Sequence, residues 1–564
     1  MNSLSQGDGK VPPIVNRLLA KLKPLTLLML VGTVVFIQQA TTNPSLVSLP
    51  MRISENSLLA GIVKETFADS SKLNRLQRGL FAKRSDDIHG FIAEELTKSG
   101  VEVYKQEFRS TLKQYKQFQG TTVYGIVPAF RSASVEAIIV AVKVDPEAYE
   151  SIAVTLALAA HCREQIYWAR NIVFVFVENE VGMEAWLSAY HGLKHQFLQF
   201  NTIEKHAGAI VGGVVMDFQG FGEKLNINVN MMNGRLPNLD LVNTIIRLSG
   251  KYNIHPTVYN RTNADDPTVT AGIAVYSQAF LELEGIHSVF GDYGIQVVGV
   301  ETRGPRKGAD HTHNLLRLAQ IHEGVLRALN NILEKLHQSY FMYVLLGTDL
   351  FLSIAYFMIP IGTLLLPLLI FAIREWLQMK TFSFPPVVLI THVVGFGLAI
   401  SAAPLFSRTY SEDVLFYSAA ALMVPFSLLF KSTEDQLKTL KFLIYLEGPL
   451  VGASLSLLNF GLGFIVSTVI VIATLISTNV KRKPLSYLKS LIVISLHPFA
   501  LAAAFMIYVN GTDPSTVIPE LLKVLNHVVY TYMIHNSSLL LLLCAFAVPF
   551  WNLLVYVDLK STED

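Results

Sequence analysis

The chain is poor in charge: of its 564 residues only 16% are Asp, Glu, Lys or Arg. An average soluble protein carries about 25%, so part of this chain is built for lipid rather than water. It has little imbalance of sign, and a net charge of +2 does not supply the concentrated basic surface of a nucleic-acid binder. It has two cysteines, Cys162 and Cys544, far apart in sequence, which excludes a disulfide framework. Low-complexity segments and internal repeats are also lacking.

What is present is hydrophobicity, 51% of the residues, gathered into long runs. A membrane helix needs about 20 mostly apolar residues. The first run, Leu22–Ala40, follows Arg17, Lys21 and Lys23. Because Gln38-Gln-Ala-Thr-Thr42 is a poor small-x-small cleavage site, a retained signal anchor is expected over a cleaved signal peptide. The next run is Phe351–Ile373, followed by Val387–Phe406, Val414–Phe430, Leu440–Leu458, Phe460–Ser477, Leu488–Val509 and Leu539–Val557. The expectation is therefore an α-helical multi-pass bundle of about eight spans.

Basic residues set the expected orientation. They cluster before the first span, at Arg374 and Lys380, at Lys431, Lys438 and Lys441, and at Lys481-Arg-Lys483. These alternate loops agree, which places both termini in the cytoplasm and the long segment after the first span on the opposite side. Three glycosylation sequons, at Asn260, Asn510 and Asn536, would face that same side, the last two flanking what reads as the loop 510–536. The organisation expected is a cytoplasmic start at 1–21, a first span at 22–40, a folded domain at 41–340, a seven-span bundle at 341–558 and a cytoplasmic tail at 559–564.

The folded domain reads as α/β. Asp86–Ser99, Ile152–Arg163 and Met183–Tyr190 have helical patterns, and Leu315–His337 is a long amphipathic helix. Ala137–Val142, Ile172–Val177 and Ala209–Met216 are continuous apolar runs suited to strands buried on both faces. The alternation predicts a mainly parallel sheet with helices on both faces. In such sheets chemistry collects at the carboxyl ends of strands. Here those ends carry Lys143-Val-Asp145, Glu178-Asn-Glu180 and Asp217, with Asp310-His-Thr-His313 ahead of the last helix. Carboxylates and histidines in that arrangement can build a zinc site. The same residue types serve equally well as helix caps and loop anchors.

The order of elements over residues 70–338 resembles the fold of co-catalytic zinc aminopeptidases. More specifically, the chain resembles the family of GPI-anchor attachment subunits of the GPI transamidase complex. The resemblance rests on Arg52-Ile-Ser-Glu-Asn-Ser, on Arg163-Glu-Gln-Ile-Tyr-Trp-Ala-Arg-Asn-Ile-Val-Phe with Glu184-Ala-Trp-Leu-Ser-Ala-Tyr-His191, on Asn233-Gly-Arg-Leu-Pro-Asn-Leu-Asp-Leu-Val-Asn243, and on Leu333-Glu-Lys-Leu-His-Gln-Ser-Tyr-Phe341. It covers almost the whole chain.

Set against the peptidase pattern, the metal site is degenerate. The His-x-Asp position is Lys143-Val-Asp145, and no bridging Asp precedes Ile152, where Glu150 and Ser151 stand. The Glu-Glu pair is Asn179-Glu180, and an amide cannot take a proton from water. Asp217 and His311 fit the last two positions. No catalytic residue and no cofactor are expected; a zinc ion, were one held, would have Glu180, Asp217 and His311 for ligands. Lys143 is expected to stand in for a cation and pair with Asp217.

The resemblance implies a non-catalytic subunit in the endoplasmic reticulum membrane, large domain luminal. It would bind and position the GPI lipid and scaffold the complex that attaches GPI to proproteins. Its implied partners are the other transamidase subunits, among them a caspase-like cysteine protease, together with GPI lipid and proprotein substrates, and no nucleic acid. Ionisable residues inside spans are functional candidates by default. His392, Glu447 and His497 are three, and Glu447, His497 and Pro549 are the candidates for holding lipid, Pro549 because the family implicates the proline of its last span. The alternative is a metal-dependent peptidase or amide-forming enzyme in the folded domain. A transporter would need more intramembrane charge and repeated halves.

Overall fold

The computed structural model describes residues 21–43, 49–53, 58, 64–82, 87–112, 118–131, 135–280, 283–305, 311–332, 341–379, 381–408, 424–478, 483–508 and 511–563. The chain divides into two compact units, Ala40–Ile354 and Met1–Gln39 with Ala355–Asp564. In order, the elements are Leu22–Thr42 (α1), Leu49–Pro50 (β1), Ser70–Ala82 (α2), Ile88–Lys98 (α3), Glu102–Ser110 (β2), Gln119–Val127 (β3), Glu136–Lys143 (β4), Tyr149–Glu164 (α4), Asn171–Val177 (β5), Glu180–Tyr190 (α5), Leu198–Phe200 (β6), Ala209–Gln219 (β7), Lys224–Asn228 (β8), Leu239–Lys251 (α6), His255–Val258 (β9), Pro267–Phe280 (α7), Gln296–Arg303 (β10), His311–Asn331 (α8), Tyr343–Leu345 (β11) and Leu350–Ser353 (β12).

The apolar runs form the middle of a nine-stranded sheet, in the order β6-β2-β3-β5-β4-β7-β10-β8-β9. β4 pairs in parallel with both β5 and β7, and β7 with β10. The expectation of a mainly parallel sheet needs correction. β2–β3, β2–β6, β3–β5 and β10–β8 are antiparallel, so the sheet is mixed. The parallel centre is a set of continuous apolar runs; β2 alternates exposed and buried residues along its second half, and β3 opens on the polar Gln119-Gly-Thr-Thr122 before its buried half.

Two cores lie on the two faces. Ile138, Val140 and Val142 join α4 in one, and Ala137, Ile139 and Ala141 join Met183, Trp186 and Leu187 of α5 in the other. This is the period of two of a strand. Each fully buried Val, Ile or Leu side chain contributes about 1.5–3 kcal/mol. α4 is buried from Tyr149 to Ala160 on all sides, because α2 and α8 cover the face turned away from the sheet. Gly213 lies beside a register shift in β4–β7, and a Cβ there would meet Ile139 O at 1.9 Å. Only glycine permits that approach of the two strands.

The segment Lys64–Phe67 has no regular structure and is held by Glu323 of α8. That carboxylate, fully buried, accepts the Thr66 amide at 3.0 and 2.9 Å and the Phe67 amide at 2.8 Å. Burial by itself raises the Glu323 carboxyl, but the His161 ring and the two amides outweigh it and bring it down to about 2. A second, three-stranded antiparallel sheet has the order β1-β12-β11.

The other unit contains Ile354–Gln378 (α9), Pro386–Arg408 (α10), Glu434–Leu458 (α11), Phe460–Thr478 (α12), Lys483–Ser495 (α13), Pro498–Tyr508 (α14), Val517–His535 (α15), Leu539–Leu542 (α16) and Val548–Glu563 (α17), the last two joined by a π turn, Leu543–Ala547. Among the described residues four helices are long and apolar enough to cross a membrane: Ile354–Gln378, Glu434–Leu458, Phe460–Ser477 and Leu539–Lys560. About eight were expected, and three differences account for much of the gap. The run Leu488–Val509 is not one straight helix but is bent by 82° at the break before Pro498. The apolar parts of α1 and α10, Pro24–Ala40 and Pro386–Ala402, are shorter than the other four. The run Val414–Phe430 lies largely outside the described residues, which there begin at 424. The expected loop 510–536 holds a 19-residue helix, α15.

Candidate functional site

The strand-end residues are held in two separate groups. Lys143 closes β4, and its Nζ stands 3.6 Å from Glu180 Oε1 on the first residue of α5. Asn179 is the N-cap of α5, its side-chain oxygen accepting the Gly182 amide at 2.9 Å. This is the ordinary cap role of Asn, and it occupies the oxygen that a peptidase would present as base. Asp145 forms a turn, accepting the Glu147 amide at 2.8 Å.

Asp217 lies opposite Glu301 in the β7–β10 register. Arg303 Nη2 stands 2.8 Å from Asp217 Oδ2 and 3.2 Å from Glu301 Oε2, and Asn226 donates to Glu301 at 2.8 Å. The expected partner of Lys143, Asp217, is thus taken by Arg303, and Lys143 turns to Glu180. Both pairs are partly exposed, so each is worth about 1 kcal/mol at most. His311 opens α8, and Gln77 Nε2 lies 3.0 Å from its Nε2. An amide NH2 only donates, so that ring nitrogen uses its lone pair on Gln77. Glu150 Oε1 is 4.0 Å from the same nitrogen.

Among the described residues no group of three or more His, Cys, Asp or Glu side chains is placed to hold a metal. The donor set does not fit zinc, because Glu180 and Asp217 already face the cations Lys143 and Arg303, and His311 faces an amide. Arg303, Glu301 and Asn226 went unread in the sequence, although for Glu301 and Arg303 the apolar run Val297–Val300 just ahead is one whose end the strand-end rule would have reached. A further pair there, His89 Nε2 with Glu178 Oε1 at 2.9 Å, was equally invisible, since 89 residues separate its members. Burial pushes the Cys162 thiol well above its ordinary range, which leaves it inert as a nucleophile.

In the helical unit, His392 and Glu447 meet. His392 Nε2 is 2.7 Å from Glu447 Oε1, and its Nδ1 is 2.8 Å from Val388 O. With Nδ1–H spent on the carbonyl, the contact with Glu447 requires one more proton shared between ring and carboxyl. His497 lies at the bend, its Nδ1 accepting the Phe499 amide at 3.1 Å and its ring meeting Trp551 edge-on at 4.5 Å. Pro549 follows the π turn, where the wider helix relieves the clash of its ring with the preceding turn. Two of the lipid candidates meet at the last helix, which carries Pro549 and whose Trp551 touches His497; Glu447 is held by His392 of α10, the helix whose Gly395 faces Cys544 and Pro549. The sequence also missed a buried ion pair, Lys489 with Asp558 at 2.7 Å. Asn260 and Asn536 are exposed, each with positive φ, and Asn510 lies outside the described residues.

The pattern of the family described as "Gaa1-like, GPI transamidase component" matches residues 119–555. The chain is 26% identical over 456 residues to "GPI transamidase component GAA1" of Saccharomyces cerevisiae, covering 76% of this chain and 71% of the yeast protein. It is 22% identical over 468 residues to "GPI transamidase component gaa1" of Schizosaccharomyces pombe, covering 77% and 78%. Among solved structures, a glutaminyl cyclase of Fimbriiglobus ruber is similar with 13% identity and a TM-score of 0.33 over 48% of this chain and 98% of that one. A leucine aminopeptidase precursor of Bacteroides thetaiotaomicron is similar with 11% identity and a TM-score of 0.29 over 48% and 99%. With a match that runs from β3 of the sheet to the last apolar helix, the chain belongs to the Gaa1-like family of GPI transamidase components.

Proposed function

We propose that the chain is a non-catalytic subunit of a GPI transamidase in the endoplasmic reticulum membrane, with Ala40–Ile354 in the lumen and both termini in the cytoplasm. It positions the GPI lipid with its helical unit and scaffolds the subunits, a caspase-like cysteine protease among them, that join GPI to proproteins. The observation that carries this reading is the commitment of the strand-end groups. Asn179 caps a helix, Glu180 faces Lys143 and Asp217 faces Arg303, so each of these three groups is already committed to a partner other than a water to be activated.

The test is transamidation by the assembled complex carrying Glu180→Gln with Asp217→Asn. More than half the activity is expected to remain. Loss to below a tenth with assembly intact overturns the reading in favour of a metal-dependent peptidase or amide-forming site. For the lipid, a photoreactive GPI analogue should label the helices bearing Glu447 and Pro549; labelling confined to Ala40–Ile354 rejects that assignment.

A further inference from the structure

One helix of the sheet-bearing unit turns the wrong chemistry outward. α7, Pro267–Phe280, contains no charged residue, and it buries Thr270, Ala274, Ser277, Gln278 and Ala279. Its other face carries Val269, 46% exposed, Gly272, Ile273, Tyr276 and Phe280, 43% exposed, with the Tyr276 and Phe280 rings 5.5 Å apart. The spacing of three and four residues lines these up as one stripe. A helix on a water-facing surface carries its polar residues there. Such an apolar stripe, exposed at Val269, Gly272 and Phe280 and half-buried at Ile273 and Tyr276, marks a contact surface.

Chain connectivity says what it meets. β11 and β12 pair so that Tyr343 lies opposite Ser353, and Ser353 is followed directly by Ile354, where a helix long enough to cross the membrane begins. Met342, 41% exposed, is one residue past that pair, at the level of Ile354. Leu49, 40% exposed, pairs with Phe351, which at strand rise sets it about 10 Å from that level. α7 packs on β11. Its approach is tied to the far turn, where Asn263 Oδ1 accepts the Thr348 amide at 2.7 Å. Its last turn is at the near end. Gln278 donates to Gly234 O at 2.9 Å, and three residues further on Pro237 O accepts from Tyr343, also at 2.9 Å. The helix therefore descends towards the level of Ile354, with Phe280 leading.

We infer that the stripe of α7, with Leu49 and Met342, rests in the interfacial layer of the adjoining lipid leaflet. The inference depends on Ile354–Gln378 being a membrane span. Aromatic and aliphatic side chains without lysine or arginine suit insertion among acyl chains and glycerol backbones, not recognition of charged headgroups. The occupant is a lipid surface, and Ala40–Ile354 is held to it by this face as well as by its two covalent tethers.

The test uses the full chain in phosphatidylcholine nanodiscs, with Phe280→Cys and Met342→Cys spin-labelled in turn. Both native thiols are buried, so the label goes to the introduced one. Ile166→Cys, 73% exposed on the loop before β5, is the water reference, and Ile359→Cys, 43% exposed in α9, is the lipid reference. Labels at 280 and 342 are expected to relax with dissolved oxygen several-fold more than with a water-soluble nickel chelate, as at 359. Equal relaxation by the chelate at 280, 342 and 166, with 359 still lipid-like, overturns the inference. Shielding from both reagents that arises only on adding the other complex subunits also overturns it, making the occupant a protein. A water-like label at 359 instead removes the span itself.

Discussion

Lys143 Nζ faces Glu180 Oε1 at 3.6 Å across the gap between the end of β4 and the start of α5. Lys143 and Glu180 are 36% and 21% exposed, so solvent screens the pair. Lys143→Ala is expected to cost no more than about 1 kcal/mol, read as a shift of a few degrees or less in the melting of the full chain in detergent. A loss of several kcal/mol would mean that the lysine neutralises more acid than Glu180 alone.

Glu323 is a different kind of charge, fully buried and bonded to two backbone amides. Glu323→Ala leaves the Thr66 and Phe67 N–H groups without their acceptor and should cost about 3–5 kcal/mol, far more than Lys143→Ala. Its carboxyl is depressed in the folded chain to about 2, below its ordinary 4.5. A depressed folded value stabilises the fold above the unfolded value, so this contribution is complete above pH 4.5 and fades as pH falls towards 2. Acid denaturation of Glu323→Gln, compared with the parent chain, should show a flatter stability profile across that window.

In the helical unit, two glycines two residues apart are expected to behave oppositely. A Cβ at Gly395 would sit 2.0 Å from Cys544 O and 2.8 Å from Pro549 Cγ, whereas at Gly397 it meets nothing within 4 Å. Gly395→Ala must force α10 off the π turn, at about 1–3 kcal/mol, and Gly397→Ala should be neutral. Thermal unfolding in detergent separates the two.

Asn260 and Asn536 are both exposed and both followed by Thr or Ser at the second position. If they face the lumen as proposed, Asn260→Gln and Asn536→Gln should each remove one endoglycosidase-sensitive step in gel mobility. A chain unmodified at Asn260, inside the sheet-bearing unit, would reverse the proposed orientation.

The elements legible in the sequence were those whose residues agree along a short stretch. Runs such as Ala137–Val142 could be read because β4, β5 and β7 are buried on both faces, so Ile138 and Ile139 are equally apolar although they enter different cores. β2 and β3 escaped, being rich in polar residues, and so did α15, whose His527, Tyr530 and Asn526 look like a loop. The candidate site was legible as a set of positions, since Lys143 ends a strand, Asn179, Glu180 and His311 open helices, and Asp217 follows an apolar run, although its strand continues to Gln219. The partners were not, because Arg303 and Gln77 come from other elements.

The sequence by itself determined the composition of two environments: a charge-poor set of apolar helices and an α/β segment with alternating runs. Local periodicity and hydrophobic length suffice for that, because burial acts on each stretch independently. Only the tertiary structure decided the mixed sheet, the bend before Pro498, and the pairings of Glu180 with Lys143, Asp217 with Arg303 and Glu447 with His392. Those depend on register and on which strand or helix becomes a neighbour, and a charge finds its partner through space, not along the chain.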